Sequence, residues 1–333
     1  MIVDLPINKS LANRILIRQA LCGDRLLPIS VSMPQDVQIL HKALQDIEQN
    51  KPEIDVDNCG TAMRFLTAYL AQYEGKKVTL EGCERMHQRP IGQLVEALQS
   101  LGASITYLQK EGFPPLLIEG KRLNKTKPII LNDPLSTQFI SALLLIGANV
   151  QTNCQSPYIT MTQQVLNGQV MLEKDWTSAS YWYEYLALHD TTQEIFFPQL
   201  SNDTTQPDKI VADVFERAFG VKTTYEKEGC SIAKLQKPHA EKLEMDFQNC
   251  PDLYPTIAIT CQRLNIPLFA SGTDALPYKE SNRLESCEQL QTNHDHRMAM
   301  ALLMADYAVD DTDCIAKSYP AFMHQFQQIC PKK

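Results

Sequence analysis

The stretch LGASITY, residues 101–107, returns 118 positions later as FGVKTTY, residues 219–225. In each copy a glycine closes an apolar helical pattern, and a short alternation of side chains follows it. Ile91, Leu94, Val95 and Leu98 repeat at the spacing of one helix face, with Pro90 at a first-turn position. Gly102 stops that helix, because glycine takes the left-handed backbone of a helix end without strain. SITYL at 104–108 then alternates as a strand does. The later copy has Val214 and Phe219 before Gly220, and VKTTY after it. A helix–glycine–strand module recurring at this distance predicts a duplicated α/β unit. Solenoid repeats have a far shorter period.

Six segments share one further design, in which a small or polar cluster precedes an alanine- or leucine-rich helix. They are KSLANRILIRQAL (9–21), CGTAMRFLTAYLA (59–71), STQFISALLLIGA (136–148), TSASYWYEYLAL (177–188), PDLYPTIAITC (251–261) and HDHRMAMALLMA (294–305). Thr61, Ser178 and Asp295 stand 117 apart in succession, and Ser136 and Asp252 stand 116 apart. The start of each helix presents unpaired N–H groups and partial positive charge. Lys9, Arg14, Arg64, Arg89, Lys279, Arg283, Arg297 and Lys317 lie in or beside such starts. A single cation of this kind ordinarily belongs to a solvated face. Their repeated placement implies a site for one or two phosphorylated or carboxylated small molecules, despite a net charge of −8.

The 333 residues suffice for two domains, and 44% hydrophobic with 21% charged residues is a globular composition. No apolar run approaches a membrane span, and the opening MIVDLPINKS lacks the pattern of a secretory signal. The negative net charge gives no reason to expect nucleic acid as a partner. The ten cysteines form no C-x-x-C pair, so neither a disulfide framework nor a zinc site is expected, and the chain reads as cytoplasmic. Cys22 and Cys261 read as small buried residues. The 13 glycines are about 4% of the chain, against about 7% typically, which is few for a phosphate-handling enzyme. HDTTQEIFFPQLSNDTTQPD (189–208) is the best divider, giving domains 1–192 and 193–333.

Ten short motifs in order identify a resemblance. They are K-S-L-A-N-R (9–14), D-N-C-G-T-A-M-R (57–64), R-M-H-Q-R-P-I-G (85–92), S-T-Q-F (136–139), P-Y-I-T (157–160), S-A-S-Y (178–181), P-D-L-Y-P (251–255), K-E-S-N-R (279–283), D-H-R-M-A-M (295–300) and A-K-S-Y-P (316–320). In these the chain resembles the 3-phosphoshikimate 1-carboxyvinyltransferases, or EPSP synthases, of the enolpyruvyl transferase family. The resemblance implies an α/β (α+β) fold of two domains built from repeated βαβαββ units, an inside-out α/β barrel, with the active site in the cleft between them. It also implies a monomer that uses no metal and no organic cofactor. The implied reaction joins phosphoenolpyruvate to shikimate 3-phosphate and releases phosphate.

Phosphoenolpyruvate carries a phosphate and a carboxylate, and arginine forks suit both. By resemblance, Lys9, Asn58, Gly60, Arg89, Gln138, Arg283, His296, Arg297 and Lys317 would hold it, with Arg64 and Thr61 supporting the loop at Gly60. Ser10, Arg14, Ser136, Thr137, Gln138, Tyr158, Asp252 and Lys279 would hold shikimate 3-phosphate. Lys9, Asp252 and Glu280 would be catalytic, Asp252 at the hydroxyl proton and Glu280 with Lys9 at the methylene carbon. The plain alternatives are helix capping for Ser10, Ser136, Thr137 and Asp252, a core aromatic for Tyr158, a surface ion pair with Arg283 for Glu280, and a structural histidine for His296.

The chain also departs from the family pattern. Ile7-Asn8 replaces glycine-serine before Lys9, Cys59 replaces an alanine, and Gln206-Pro207-Asp208 replaces Q-G-D. Arg283 and Asp295 are 12 apart, too close for a strand–helix–strand crossover between them. A second trimmed segment is expected between Thr162 and Trp176, and the strand that normally precedes the first motif is expected to be missing. Two alternatives stand beside the implied activity: a shortened non-catalytic homologue binding phosphorylated acids, and an enolpyruvyl transferase acting on UDP-N-acetylglucosamine.

Overall fold

The computed structural model describes residues 1–169 and 171–330. The chain forms two compact units. One comprises Lys9–Ser30 and Asp36–Met171; the other comprises Leu172 onward with Met1–Asn8 and Val31–Gln35.

The first unit opens with α1 (Lys9–Cys22) and α2 (Gln35–Glu48). A complete βαβαββ module follows: β1 (Glu53–Asp55), α3 (Gly60–Ala71), β2 (Lys77–Glu81), α4 (Gly92–Ser100), β3 (Ser104–Tyr107) and β4 (Leu116–Glu119). Its sheet has the order β1-β2-β4-β3. β1 runs parallel to β2, with Ile54 opposite Leu80, and β4 is antiparallel to both β2 and β3. Val78, Leu80, Leu116 and Ile118 are buried and alternate with more exposed neighbours, so one sheet face packs inward. α3 buries every residue except Thr61, the mark of a helix apolar all round at the centre of a unit. β5 (Ile129–Ile130), α5 (Thr137–Leu145), β6 (Val150–Gln151) and α6 (Pro157–Leu166) begin a second module, with β5 and β6 parallel.

The second unit repeats the plan. α7 (Trp176–Leu188), β7 (Glu194–Pro198), α8 (Val211–Phe219), β8 (Val221–Glu226) and β9 (Gly229–Lys234) form a sheet of order β7-β9-β8, antiparallel throughout. α7 is buried from Trp176 to Ala187, and Trp182, Tyr183, Phe215 and Phe219 belong to the core around it. β10 (Leu243–Asp246), α9 (Tyr254–Leu264) and β11 (Leu268–Ser271) follow, with the two strands parallel, and then α10 (Arg283–Gln289), α11 (His296–Met304) and α12 (Phe322–Ile329). Among the described residues no strand lies between α6 and α7 or between α10 and α11. These are the two places where the sequence leads to the expectation of a trimmed unit. Among the described residues no helix is long and apolar enough to cross a membrane.

The repeated phrase lands where the duplication requires. Gly102 follows α4 and precedes β3; Gly220 follows α8 and precedes β8; their φ values are 101° and 74°. A Cβ on Gly220 would lie 2.3 Å from the Gln236 carbonyl oxygen, so both backbone and space demand glycine there.

Other expectations are corrected. Pro90 lies outside its helix, which starts at Gly92 after the N-cap Ile91. Thr61 and Ser178 are inside the first turns of α3 and α7, whereas Asp295 is the N-cap of α11, so the 117-residue spacing aligns modules and not caps. Cys22 is exposed at the end of α1, while Cys261 is buried. Segment 189–208 does not divide the units. It leads from α7 through β7 toward α8 within one core, and the division falls at Met171–Leu172. The first residues are also placed: Val3 N–H donates to Phe196 O at 2.9 Å and Ile2 bridges Phe196 in parallel, so the opening segment lies along β7.

Candidate active site

In the second unit the sequence folds so that α11 starts beside α10 and the turn before α9. Asp252 sits in the short 3₁₀ turn Pro251–Leu253, makes no cap bond, and so is not a helix cap. Its carboxylate instead faces three cations. Oδ1 accepts from Arg283 Nη1 at 2.8 Å and Lys279 Nζ at 3.3 Å, and Oδ2 accepts from Arg297 Nη2 at 2.6 Å. Burial alone would raise its pKa, but Arg297, Lys279 and Arg283 override that and hold it well below the ordinary carboxylate range. Arg283 has no accessible surface. Besides Asp252 it reaches Glu280 Oε2 at 2.9 Å and, through Nε, Asp295 Oδ2 at 2.8 Å. The Glu280 pair is therefore largely enclosed rather than a surface ion pair. Lys279 keeps a lowered pKa because burial outweighs its carboxylate neighbours.

Asp295 ties this cluster to the helix start. Its Oδ1 accepts the Arg297 backbone N–H at 2.9 Å while Oδ2 holds Arg283. His296, the first residue of α11, is fully buried, with Nδ1 3.6 Å from Asp295 Oδ1. Lys317 ends a 3₁₀ turn and is 8% exposed. Asp208 is an addition the sequence marked only as part of a departing motif. It is 2% exposed, accepts from the Thr177 hydroxyl, and has a pKa pushed up to about 7 by burial and by Asp252. A carboxyl raised in the fold from 3.8 to about 7 binds more protons there than in the unfolded chain. Stability is therefore lost as pH rises from about 4 through about 7. Asp208→Asn removes that loss, so thermal melts from pH 5 to 8 will show a flatter profile than the wild type. An unchanged profile would sink the assignment.

The departures beside this site carry contacts of their own. Asn8 Nδ2 donates to Asp175 Oδ1 at 2.7 Å and Gln206 Oε1 at 2.8 Å, and Asp175 in turn caps α7 by accepting from Ser178 N–H at 2.9 Å.

The first unit gathers a separate set at helix starts. Arg64 Nη1 donates to Gly60 O at 3.1 Å, and Arg89 Nη1 donates to the Asn58 carbonyl and side-chain oxygens, each at 3.3 Å. Two guanidiniums thus stand at the start of α3, where the N-cap Cys59 supplies no side-chain cap bond. Positive side chains and a helix N-terminus together favour an anion. A Cβ at Gly60 would lie 2.5 Å from Arg89 Nη2 and 2.7 Å from Arg64 Nη1, so both guanidiniums would have to move aside. Gly60→Ala is therefore expected to displace Arg89 and weaken binding of a small phosphate- or carboxylate-bearing anion at the start of α3, read by calorimetric titration; unchanged binding would contradict the placement. Cys59 Sγ donates to Asp36 O at 3.6 Å, and the Asp36 carboxylate holds Lys9 Nζ at 2.8 Å. Lys9 thus has an acidic neighbour that sequence reasoning missed, because an acid in the first turn of α2 reads as dipole compensation.

Ser136 caps α5 by accepting the Gln138 N–H at 3.2 Å, and Gln138 Nε2 reaches Thr61 Oγ1 at 3.0 Å, joining the starts of α5 and α3. Thr137 is the first residue of α5. Arg14 is 2% exposed and works inside the unit: Nη1 donates to Ser10 O at 2.7 Å, Nε to Thr162 Oγ1 at 2.8 Å, and Nη2 to Ser141 Oγ at 3.1 Å. Its guanidinium carbon lies 5.8 Å from the centre of the Tyr158 ring, and Tyr158 is half-buried at the start of α6 rather than in the core. Burial lowers the Arg14 pKa to about 10.

The sequence profile of EPSP synthase (3-phosphoshikimate 1-carboxyvinyltransferase) matches residues 26–168 and 143–290. This chain belongs to the EPSP synthase family. A 3-phosphoshikimate 1-carboxyvinyltransferase of Bacteroides fragilis is 35% identical over 388 residues, covering 96% of this chain and 93% of the relative. That span exceeds the 333 residues present, so the relative carries segments this chain lacks. One of the same name from Idiomarina loihiensis is 28% identical, covering 98% of this chain and 96% of its own. The fold matches an EPSP synthase from Acinetobacter baumannii with a TM-score of 0.72 at 17% identity, covering 98% of this chain and 95% of that one. It also matches the enolpyruvyl transferase NikO from Streptomyces tendae with a TM-score of 0.64 at 12% identity, covering 99% and 94%. The α/β fold of repeated modules, helices inside and sheets outside, is that of enolpyruvyl transferases.

Proposed function

We propose that this chain transfers the enolpyruvyl group of phosphoenolpyruvate to the 5-hydroxyl of shikimate 3-phosphate and releases inorganic phosphate, in the route to chorismate and the aromatic amino acids. The observation that carries this reading is the ion-pair cluster of the buried Arg283 and Arg297 with the partly exposed Asp252, Lys279 and Glu280, in a chain of this family. Within it, anion-binding cations stand directly on a carboxylate suited to proton transfer.

The reaction adds and then eliminates. The 5-hydroxyl oxygen bonds to C2 of phosphoenolpyruvate, the hydroxyl loses its proton, and the C3 methylene gains one. C3 then gives up a proton as the C–O bond to phosphate breaks. Asp252 accepts the hydroxyl proton, and Glu280 with Lys9 exchanges the proton at C3. At rest Asp252 is a poor base, since three cations hold it ionised. Substrate anions draw Arg283, Arg297 and Lys279 toward phosphate and carboxylate oxygens, and Asp252 gains basicity as they shift. Lys9, Asn58, Gly60, Arg89, Gln138, Arg283, His296, Arg297 and Lys317 are assigned to phosphoenolpyruvate. Ser10, Ser136, Thr137, Gln138, Tyr158, Asp252 and Lys279 are assigned to shikimate 3-phosphate, with Arg14 holding Ser10 and Tyr158 in place. A cytoplasmic location belongs to the same reading, supported by ten free cysteines, and so does a monomeric state.

Lys9→Met is expected to reduce turnover by about 10²–10⁴-fold, the usual contribution of a positioned acid–base group. Turnover within a few-fold of the wild type would remove Lys9 from the chemistry. Replacing shikimate 3-phosphate by UDP-N-acetylglucosamine is expected to abolish phosphate release. Release with the nucleotide sugar alone would favour the sister activity.

A further inference from the structure

The departing motif Gln206-Pro207-Asp208 is firmly held within the second unit. Gln206 is 5% exposed and its amide is fully bonded. Its Oε1 accepts from Asn8 Nδ2 at 2.8 Å and from Trp176 N–H at 3.0 Å, and its Nε2 donates to Lys174 O at 2.7 Å and Glu173 Oε2 at 3.0 Å. Pro207, with its fixed φ, then opens the 3₁₀ turn that carries Asp208. Asp208 is thereby set against α7, where the Thr177 hydroxyl donates to its Oδ2. One turn further along α7, the Tyr181 hydroxyl oxygen accepts from Arg297 Nη1 at 3.5 Å. Residues four apart share a helix face, so one face of α7 places Asp208 beside Arg297.

Each of the two retains a buried atom without a partner. Among the described residues, Asp208 Oδ1 and Arg297 Nε make no hydrogen bond, and the residues are 2% and 3% exposed. Arg297 Nη2 meanwhile holds Asp252 Oδ2 at 2.6 Å. Arg297 therefore stands between two carboxyls, bonded to one and open to the other. Around them, Asp175 caps α7, the Cys250 thiol is kept neutral by burial and by Asp208, and Lys209 is turned to Asn202 O at 2.8 Å. Burial pushes the Asp208 carboxyl up to about 7; Asp252 and Asp175 add to the rise, and Thr177 and Arg297 oppose it. The group therefore changes charge near neutral pH.

We propose that Asp208 is a positioning residue through which pH regulates Asp252: once ionised, it competes for Arg297 and leaves Asp252 the stronger base. Neutral Asp208 leaves Arg297 on Asp252, which stays a poor base. Ionised Asp208 draws the unpartnered Nε and adds a like charge near Asp252, and both effects raise the basicity of Asp252. Turnover thus increases as pH rises through the Asp208 transition. This rests on the enolpyruvyl-transfer reading, in which Asp252 takes the hydroxyl proton.

The test has two arms. In the first, kcat for phosphate release from phosphoenolpyruvate and shikimate 3-phosphate should rise about threefold to tenfold from about pH 6 to 8 in the wild type. Asp208→Asn, which mimics the neutral carboxyl, should hold the low-pH rate throughout. Thr177→Val removes the donor that favours ionised Asp208, so its rise should move to higher pH. A flat wild-type profile, or a rise that stays in place in either variant, would overturn the proposal. The second arm needs no substrate: carbon NMR of isotope-labelled aspartate carboxyls in the full chain. The Asp252 signal, identified by its loss in Asp252→Asn, should shift as Asp208 titrates near pH 7 and stay still over that range in Asp208→Asn. An Asp252 signal that does not move with Asp208 in the wild type would overturn the charge competition whether or not the chain turns over. Folded protein that shows the coupled shift but releases no phosphate would remove the enolpyruvyl reading alone.

Discussion

Asp252→Asn is expected to lower kcat for phosphate release by about 10²–10⁴-fold. The amide keeps the size of the carboxylate and accepts from Arg297 or Arg283 through its oxygen, so shape is largely preserved. What is lost is a negative charge between Arg283, Lys279 and Arg297, and with it the acceptor assigned to the hydroxyl proton in the proposed chemistry. The stability profile moves too. A carboxylate held below its unfolded pKa stabilises the fold above that unfolded value, and the contribution disappears as pH falls through the folded pKa. Asp252→Asn therefore loses stability at neutral pH and shows a weaker acid dependence below about pH 4. A kcat within threefold of the wild type, roughly 0.6 kcal/mol of barrier, would remove Asp252 as the base.

Arg283→Met has the largest expected effect on folding. Arg283 is fully buried and is bonded to Asp252, Glu280 and Asp295 at once. Methionine fills similar space but leaves these carboxylates facing one another, and breaking a buried pair by removing one partner costs about 3–5 kcal/mol. Asp295 also caps α11, so its repulsion is transmitted to that helix start. The melting temperature should fall by roughly 6–20 °C. Asp252 loses one of the cations that hold its pKa down, so its carboxyl should then protonate more readily. A melting temperature within about 2 °C of the wild type would show that the cluster is not held by this arginine.

Much of the architecture was legible because its signals are local. The glycine stops at Gly102 and Gly220 and the apolar faces before them need only a few residues of context. They correctly placed α4, β3, α8 and β8. One trimmed module followed from spacing alone, since Arg283 and Asp295 are 12 apart and the stretch between them cannot hold a crossover. The division between units was not legible, because Met1–Asn8 joins the second unit through pairing with Phe196 and Lys174, far along the chain. At Asp252 the plain alternative of a helix cap does not hold, because the fold brings Arg283, Lys279 and Arg297 onto its carboxylate. The cations of the site were visible from sequence as types at helix starts. Their acidic partners Asp36, Asp208 and Asp295 were not, since each has an ordinary role as a first-turn or loop acid. Asn8 and Cys59, which depart from the family pattern, proved to carry hydrogen bonds to Gln206 and to the Asp36 backbone.

The most direct test of the enolpyruvyl-transfer reading is phosphate release from phosphoenolpyruvate by the purified chain, measured with and without shikimate 3-phosphate. The account predicts release only when both are present, with one enolpyruvyl ether formed per phosphate and loss of turnover in Lys9→Met and Asp252→Asn. Well-folded protein that releases no phosphate from the two substrates together would contradict it.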